Sequence, residues 1–419
     1  MTHTAEILSV GTELLLGNIA NTDAQDVSVA LSQLGIDVRW HTVVGDNPGR
    51  VKQAVAIART RADILITTGG LGPTYDDLTK QTLAEAFGKK LVFHEPSAQK
   101  IQELYHQRLG TDELPDHALL QAWLPEGCTV FENSCGTAPG CGFEADGVHV
   151  LMLPGPPSEC RAMLNTGAIP YLRTLSDSVL VSHNFRVFGI GESSCEQLLR
   201  DVMEKSENPT LAPYAKEGEV LLRLTAKADS VEEAETMMAP MAEHVRRILG
   251  SFIYGEDVDS LAQVVFGLLK NMGKTLATAE SCTGGLIAKR LTDLPGSSAV
   301  FLGSAVTYST PSKHRVLGVD ETLLREKGAV SAETAAAMAE GVRRLYGADY
   351  ALATTGVAGP DSDECGNPVG LVYVALSSER GTVVRAVHCG NVRARCRSIA
   401  SNHALDMLRR ELQGIPQAE

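Results

Sequence analysis

The chain has no apolar run long enough to cross a bilayer. Its start, Met1-Thr2-His3-Thr4-Ala5-Glu6, carries neither a charged leader region nor a cleavage site. Export and membrane spanning are therefore not expected, and the sequence reads as that of a soluble, cytoplasmic protein. Nor is there a C-x-x-C pair. The nine cysteines among 419 residues are scattered and odd in number, which points to neither a disulfide framework nor a zinc ribbon and fits a reducing cytosol. The loop Gly69-Gly70-Leu71-Gly72 lacks the spacing of a dinucleotide fingerprint, and no G-x-x-x-x-G-K-[ST] motif occurs anywhere. Repeats and low-complexity tracts are absent. Positive charge is scarce: 37 Lys and Arg stand against 51 Asp and Glu, a net charge of −14. That balance disfavours nucleic acid and anionic membrane surfaces as partners.

What is present is ordinary globular material, 44% apolar and 21% charged, long enough for about two to four domains. Residues 7–10, 36–44, 64–68 and 148–153 read as strands, and 24–34, 49–60 and 79–87 carry helical spacing. The alternation predicts an α/β domain over 1–172, with a mostly parallel sheet and helices on both faces. Residues 176–254 read as a small α+β module, with strands at 182–187 and 219–226 and helices at 192–204 and 231–249. From 258 to 414 a second α/β domain follows, with strand-like segments at 299–308, 350–354 and 370–376 and a closing helix at 393–412.

In such folds ligands sit in loops at the carboxyl ends of strands. Three loops of the first domain are suited to that: Gly11-Thr12-Glu13, then Gly69-Gly70-Leu71-Gly72-Pro73-Thr74-Tyr75-Asp76-Asp77, then Pro154-Gly155-Pro156-Pro157. Glycines free several backbone N–H groups to point one way and cradle phosphate. Asp76 and Asp77 are placed to hold a divalent cation that lets a diphosphate bind beside them. Asp77 is equally placed to cap the helix that begins at Leu78-Thr79.

The last domain opens with Ala279-Glu280-Ser281-Cys282-Thr283-Gly284-Gly285, an apolar strand running into a glycine turn and then a helical pattern. Ser281 there is either a nucleophile with backbone amides beside it, or, like Thr283, a helix cap. No cluster in this domain has metal-ligand spacing. His314, His388 and His403 stand alone, so each reads as a surface or packed histidine rather than a base. Without a histidine, a serine can be activated by a lysine kept neutral by burial. Lys313 is the candidate, with Tyr308 to relay a proton or orient the amine. The competing readings are a solvated lysine and a tyrosine that ends a core strand. Arg393 is either a phosphate contact or a partner for acids on the last helix.

Together these segments resemble the competence/damage-inducible CinA family over essentially the whole chain. The Gly11–Gly17, Asn21-Thr22-Asp23, Gly69–Asp77 and Pro154–Glu159 segments resemble its N-terminal domain, similar in fold to the molybdopterin-binding MoaB/MogA proteins. The resemblance implies a nucleotide- or pterin-sized site at Gly11, Thr12, Glu13, Gly69, Gly70, Gly72, Pro154 and Gly155. It also implies metal-dependent ADP-ribose pyrophosphatase activity, with Asp76 and Asp77 as metal ligands and Glu13 as a weaker one. The middle module is similar to a KH domain, but it offers Gly189-Ile190-Gly191 in place of G-x-x-G. With 8 Lys and Arg against 13 Asp and Glu over residues 176–253, it reads as a spacer or a dimerisation module, not an RNA binder. A homodimer is the expected assembly.

The last domain is similar to the family's nicotinamide mononucleotide deamidases. That implies hydrolysis to nicotinic acid mononucleotide and ammonia without a cofactor, with Ser281 as nucleophile and Tyr308 and Lys313 activating it. Thr283, Gly284, Gly285, Ser298, Thr355 and Arg393 would contact substrate. Two departures stand out. Asn367 replaces the lysine many relatives carry before Pro-Val-Gly. Gly390-Asn391-Val392-Arg393 is one residue longer than the usual segment, which leaves Arg395 and Arg397 open as alternatives to Arg393. The alternative function is a non-catalytic nucleotide- or pterin-binding regulator linked to competence or DNA damage.

Overall fold

The computed structural model describes residues 3–75, 77–109, 114–115, 117–175 and 178–417. It divides into two compact units, Met1–Val181 with Ala226–Met237, and Ser182–Thr225 with Met238–Glu419. Among the described residues no helix is long and apolar enough to cross a membrane.

The first unit holds a six-stranded sheet ordered Asp37–Val44, Thr4–Val10, Ile64–Thr68, Val148–Leu153, Gly140–Ala145, Thr129–Phe131. The first four strands run parallel and the last two antiparallel. Every residue of Ile64–Thr68 is buried, as a central strand covered on both faces requires. Period-two alternation then sorts the core. Ile7, Ile64, Ile66, Leu151 and Leu153 pack on one face against the helix Thr22–Gln33 and the helical segment after Pro156. Leu8, Leu65, Val150 and Met152 pack on the other, against the helix Pro48–Ala58. The antiparallel pair at 129–131 and 140–145 was not read from sequence because Gly140-Cys141-Gly142 resembles a turn. Those glycines are needed for close packing instead. A Cβ on Gly140 would lie 2.6 Å from the Met152 carbonyl oxygen, and one on Gly142 would lie 2.8 Å from the Phe131 ring.

A small sheet, Thr210–Lys216, Glu219–Ala228, Val179–Val187, Ile253–Glu256, has most of its residues in the second unit, as does the helix Glu192–Lys205. A five-stranded sheet follows, ordered Phe301–Val306, Leu276–Glu280, Tyr350–Gly356, Leu371–Ser378, Gly381–His388. Its first three strands are parallel and the rest antiparallel. The helices Leu261–Met272 and Arg393–Gln413 cover one face. Ala332–Tyr346 covers the other through Ala335, Met338, Ala339 and Val342. Phe188 and Tyr254 belong to the same apolar cluster as the first face, so the small sheet and the large one share a core. Buried Arg409 ties them further by donating to the carbonyls of Ser251 and Ile253.

Candidate active site

Ser281, Thr307 and Thr355 lie at the carboxyl ends of the three parallel strands of the second unit, which places their side chains within one short span of sheet edge. The Ser281 amide donates to the Thr354 carbonyl at 2.9 Å, so the sheet ladder runs one residue past the strand before the chain turns. Gly284 and Gly285 then take φ of 61° and 90°, a left-handed path that a side chain would strain. The helix Leu286–Thr292 begins on Gly285 with no side-chain cap from Ser281 or Thr283.

The capping reading for those two residues is therefore corrected. The acceptor is Glu280, wholly buried at the strand end. Its carboxylate takes the Ile287 amide at 3.2 Å, the Ala288 amide at 2.8 Å and the Thr283 hydroxyl at 2.7 Å. Three donors, two of them helix amides, satisfy a charge that burial alone would make costly. Sequence reasoning missed Glu280, although an acid closing an otherwise apolar strand was the available signal. Glu280→Ala is expected to leave both amides unpaired and to destabilise the second unit by about 2–4 kcal/mol. Glu280→Gln should cost less, because it retains one acceptor oxygen. Urea unfolding followed by a probe in this unit measures both.

With the cap supplied elsewhere, the Ser281 hydroxyl is free for another partner. Lys313 Nζ lies 3.0 Å from Ser281 Oγ and 2.7 Å from the Thr307 carbonyl. Lys313 stands in the first turn of the helix Thr310–Leu317 and is only 1% exposed, while Ser281 keeps 9% open. Burial brings the lysine down from 10.5 to about 8, with the Cys282 thiol acting the other way. A neutral amine in that place can accept the serine proton. Cys282, next in the chain, is no rival: burial, then Cys396, push its thiol up to about 12. It packs in the same core as Cys389 and Cys396.

Tyr308 is not joined to Lys313. It is 58% exposed, and its hydroxyl accepts from Arg393 Nη2 at 2.7 Å. Arg393 Nη1 donates to the Gly359 carbonyl at 2.8 Å, which leaves further guanidinium N–H groups for an anion. Arg397 is occupied differently, gripping the Thr283 carbonyl through Nε at 3.1 Å and Nη2 at 2.7 Å. It holds the turn. Arg395 lines a separate cavity. The buried Thr283 hydroxyl also meets that of Thr354 at 2.8 Å, and Thr355 donates to the Ala329 carbonyl. Ser298 stays exposed on a short turn without a side-chain hydrogen bond. Of the expected oxyanion donors, the Gly284 amide is spent on the Ser281 carbonyl and the Thr283 amide faces the Cys282 sulfur. Among the described residues the Gly285 amide has no such partner. Asn367 bonds to Asp363 and the Val330 carbonyl.

In the first unit, the loops of Gly11, Gly69 and Pro154 leave adjacent parallel strands and meet. A Cβ on Gly69 would lie 2.1 Å from the Val10 carbonyl oxygen, and one on Gly155 would lie 3.2 Å from the Gly69 Cα. Glycine is the residue that lets the three loops touch. One on Gly70 would strike the Thr79 hydroxyl at 2.0 Å. Thr12 donates its amide and hydroxyl to Asp46, both at 2.8 Å. The exposed Glu13 carboxylate folds back over Gly11. Asp77 does not cap the following helix; its Oδ2 accepts the Thr74 amide at 3.0 Å and sits against Gly72. Lys80, nearly buried, donates to the Gln121 carbonyl at 2.6 Å and is drawn down to about 8 by burial.

Asp76 lies outside the described residues. Among the described residues no three His, Cys, Asp or Glu side chains converge to hold a metal.

Comparison with known proteins agrees with this layout. Residues 258–412 match the "CinA C-terminal domain" family, 6–174 the "Probable molybdopterin binding domain" and 182–255 the "Damage-inducible protein CinA KH domain". A CinA-like protein of Kosmotoga olearia is 47% identical over 408 residues, 97% of this chain and 98% of that one. A CinA-like protein of Dictyoglomus turgidum is 48% identical over 410 residues, 98% and 99% of the two chains. Among solved structures, CinA from Thermoplasma acidophilum is 34% identical over 39% of this chain and 95% of that one, at a TM-score of 0.37. The chain belongs to the CinA family, with a MoaB/MogA-like domain, a KH-like domain and a CinA C-terminal domain.

Proposed function

We propose that the C-terminal domain hydrolyses the carboxamide of nicotinamide mononucleotide, yielding nicotinic acid mononucleotide and ammonia. The observation that carries this reading is the buried Lys313 amine 3.0 Å from the Ser281 hydroxyl. Ser281 Oγ attacks the carboxamide carbon while its proton passes to Lys313 Nζ. The oxyanion takes the free Gly285 amide. Collapse breaks the C–N bond, Lys313 returns the proton to the leaving nitrogen, and ammonia departs from an ester on Ser281. Water, deprotonated by Lys313, then cleaves the ester to the carboxylate and restores the serine. Arg393 meets the substrate phosphate through a charge-assisted bond, its position steadied by Tyr308 and Gly359. No cofactor enters these steps. Incubating the purified chain with nicotinamide mononucleotide and measuring ammonia and the acid product tests the proposal. Absence of both would sink it.

For the N-terminal domain the reading is cleavage of ADP-ribose-like diphosphates, supported by the contact between the Gly69 and Gly155 loops. When bound, a divalent cation supplies neutralisation of the diphosphate and an acidified water. Asp77 would share in holding it, and the amides of the glycine loops would receive the phosphates. Asp77→Ala is expected to lower chelator-sensitive release of AMP from ADP-ribose at least about tenfold. Equal release in the variant, with and without chelator, would remove both metal and aspartate from the mechanism. A homodimer is the proposed assembly.

A further inference from the structure

Within the second unit, a cavity of about 570 Å³ opens where the Gly189-Ile190-Gly191 turn faces the helix Arg393–Gln413. Its volume suits a ligand of mononucleotide size. Its walls divide by chemistry. Phe188, Val220 and Ile399 form an apolar side, whereas Lys216 and Arg395 bring two cations, and His388 and His403 two imidazoles, to the same space. Among the described residues, Lys216, His388 and Arg395 have no ion-pair or side-chain hydrogen-bond partner. His403 is fixed by an edge-on contact with the Phe188 ring, 5.0 Å between centroids, and is neutral, because burial and then the nearby Arg385 bring it down to about 4.

Two acids also line the cavity. Glu219 is already satisfied by Arg186 at 2.9 Å and by the Tyr254 hydroxyl at 2.6 Å. Glu192, at the start of its helix, is the remaining one. The lysine and arginine thus outweigh the single uncompensated carboxylate, in a chain whose overall charge is −14. Unpaired cations converging on one concave space in an acidic protein call for an anion.

We propose that this cavity binds the phosphate monoester of a small metabolite, with Arg395 and Lys216 on the phosphate, His403 and His388 beside it, and the organic part against Ile399 and Val220. The site is distinct from the Ser281 centre. Arg393 and Arg397 serve that centre, while Arg395, between them in sequence, lines this cavity. The acidity of the middle segment does not oppose it, because Arg395 and both imidazoles come from the last strand and helix.

The test uses the full chain with labelled histidine, following the imidazole resonances of His403 and His388, assigned from His403→Gln and His388→Gln spectra. At constant ionic strength, inorganic phosphate and AMP should each shift both resonances saturably, and adenosine should not. Arg395→Gln and Lys216→Gln should each raise the half-saturating AMP concentration at least about tenfold, the loss of one charge-assisted contact. Ser281→Ala should leave the response in place, separating this cavity from the catalytic one. Resonances unmoved by phosphate and AMP, an adenosine response equal to that of AMP, or unaltered titrations in both charge-removing variants would each overturn the proposal.

Discussion

Ser281→Ala is expected to reduce ammonia release from nicotinamide mononucleotide by about 10³-fold or more while leaving the fold intact. The magnitude follows from losing the nucleophile itself: what survives is binding and oxyanion stabilisation without a covalent step. The fold should persist because the residue's structural contribution is its amide, which bonds to the Thr354 carbonyl and is present in alanine. The hydroxyl contacts Lys313, and that amine keeps its bond to the Thr307 carbonyl. Stability should therefore change by no more than about 1 kcal/mol. Turnover within tenfold of wild type, in a variant with an unchanged unfolding transition, would remove Ser281 from the chemistry.

Lys313→Met should be almost as damaging, and its signature lies in pH. The folded lysine titrates at about 8 because burial disfavours its charged form. Below that pH it is protonated and cannot take the serine proton, so the wild-type rate should fall about tenfold per pH unit below 8 and level off above it. In Lys313→Met the residual rate should lose that limb. The same shift has a consequence for stability. Between about pH 8 and 10.5 the unfolded chain carries a proton on this lysine that the folded chain does not, so the folded state gains relative stability as pH rises through that window. Methionine fills a similar volume without a charge to desolvate and should abolish this gain. A variant that retains the wild-type pH–rate profile would show that another group acts as the base.

The alternating strands and helices of the first unit could be read from hydrophobic periodicity because both faces of a parallel sheet demand it. The strand at 64–68 and the helix before Gln33 follow that rule. Gly140–Ala145 could not be read, since its glycines answer to the Met152 carbonyl and the Phe131 ring, neighbours distant in the chain. In the C-terminal site, Ser281 and Lys313 were nameable because their residue types carry the chemistry. Their partners were harder. Tyr308 was expected to relay a proton for Lys313 or orient its amine, yet the strand end points its hydroxyl to Arg393. Arg397 reaches Thr283 only because a helix turn separates it from Arg393, a relation visible once the helix start is known. The basic cavity was illegible for a related reason: Lys216 and Arg395 lie far apart in sequence, and their charges join only through packing.

The Glu280 cap has a consequence for how portable this turn is. Residues 280–288 form a closed unit in which a strand-end acid, a serine, a threonine and two glycines secure their own helix. Besides itself, the unit draws on Thr354 and Thr307 at the ends of the two adjoining strands, on Lys313 and on Arg397. The position of Ser281 is thus inherited from strand register rather than from the helix it precedes. A designer grafting this turn onto another parallel sheet would need to carry over the acid and a neighbouring threonine, and could redraw the outward face of the helix at will.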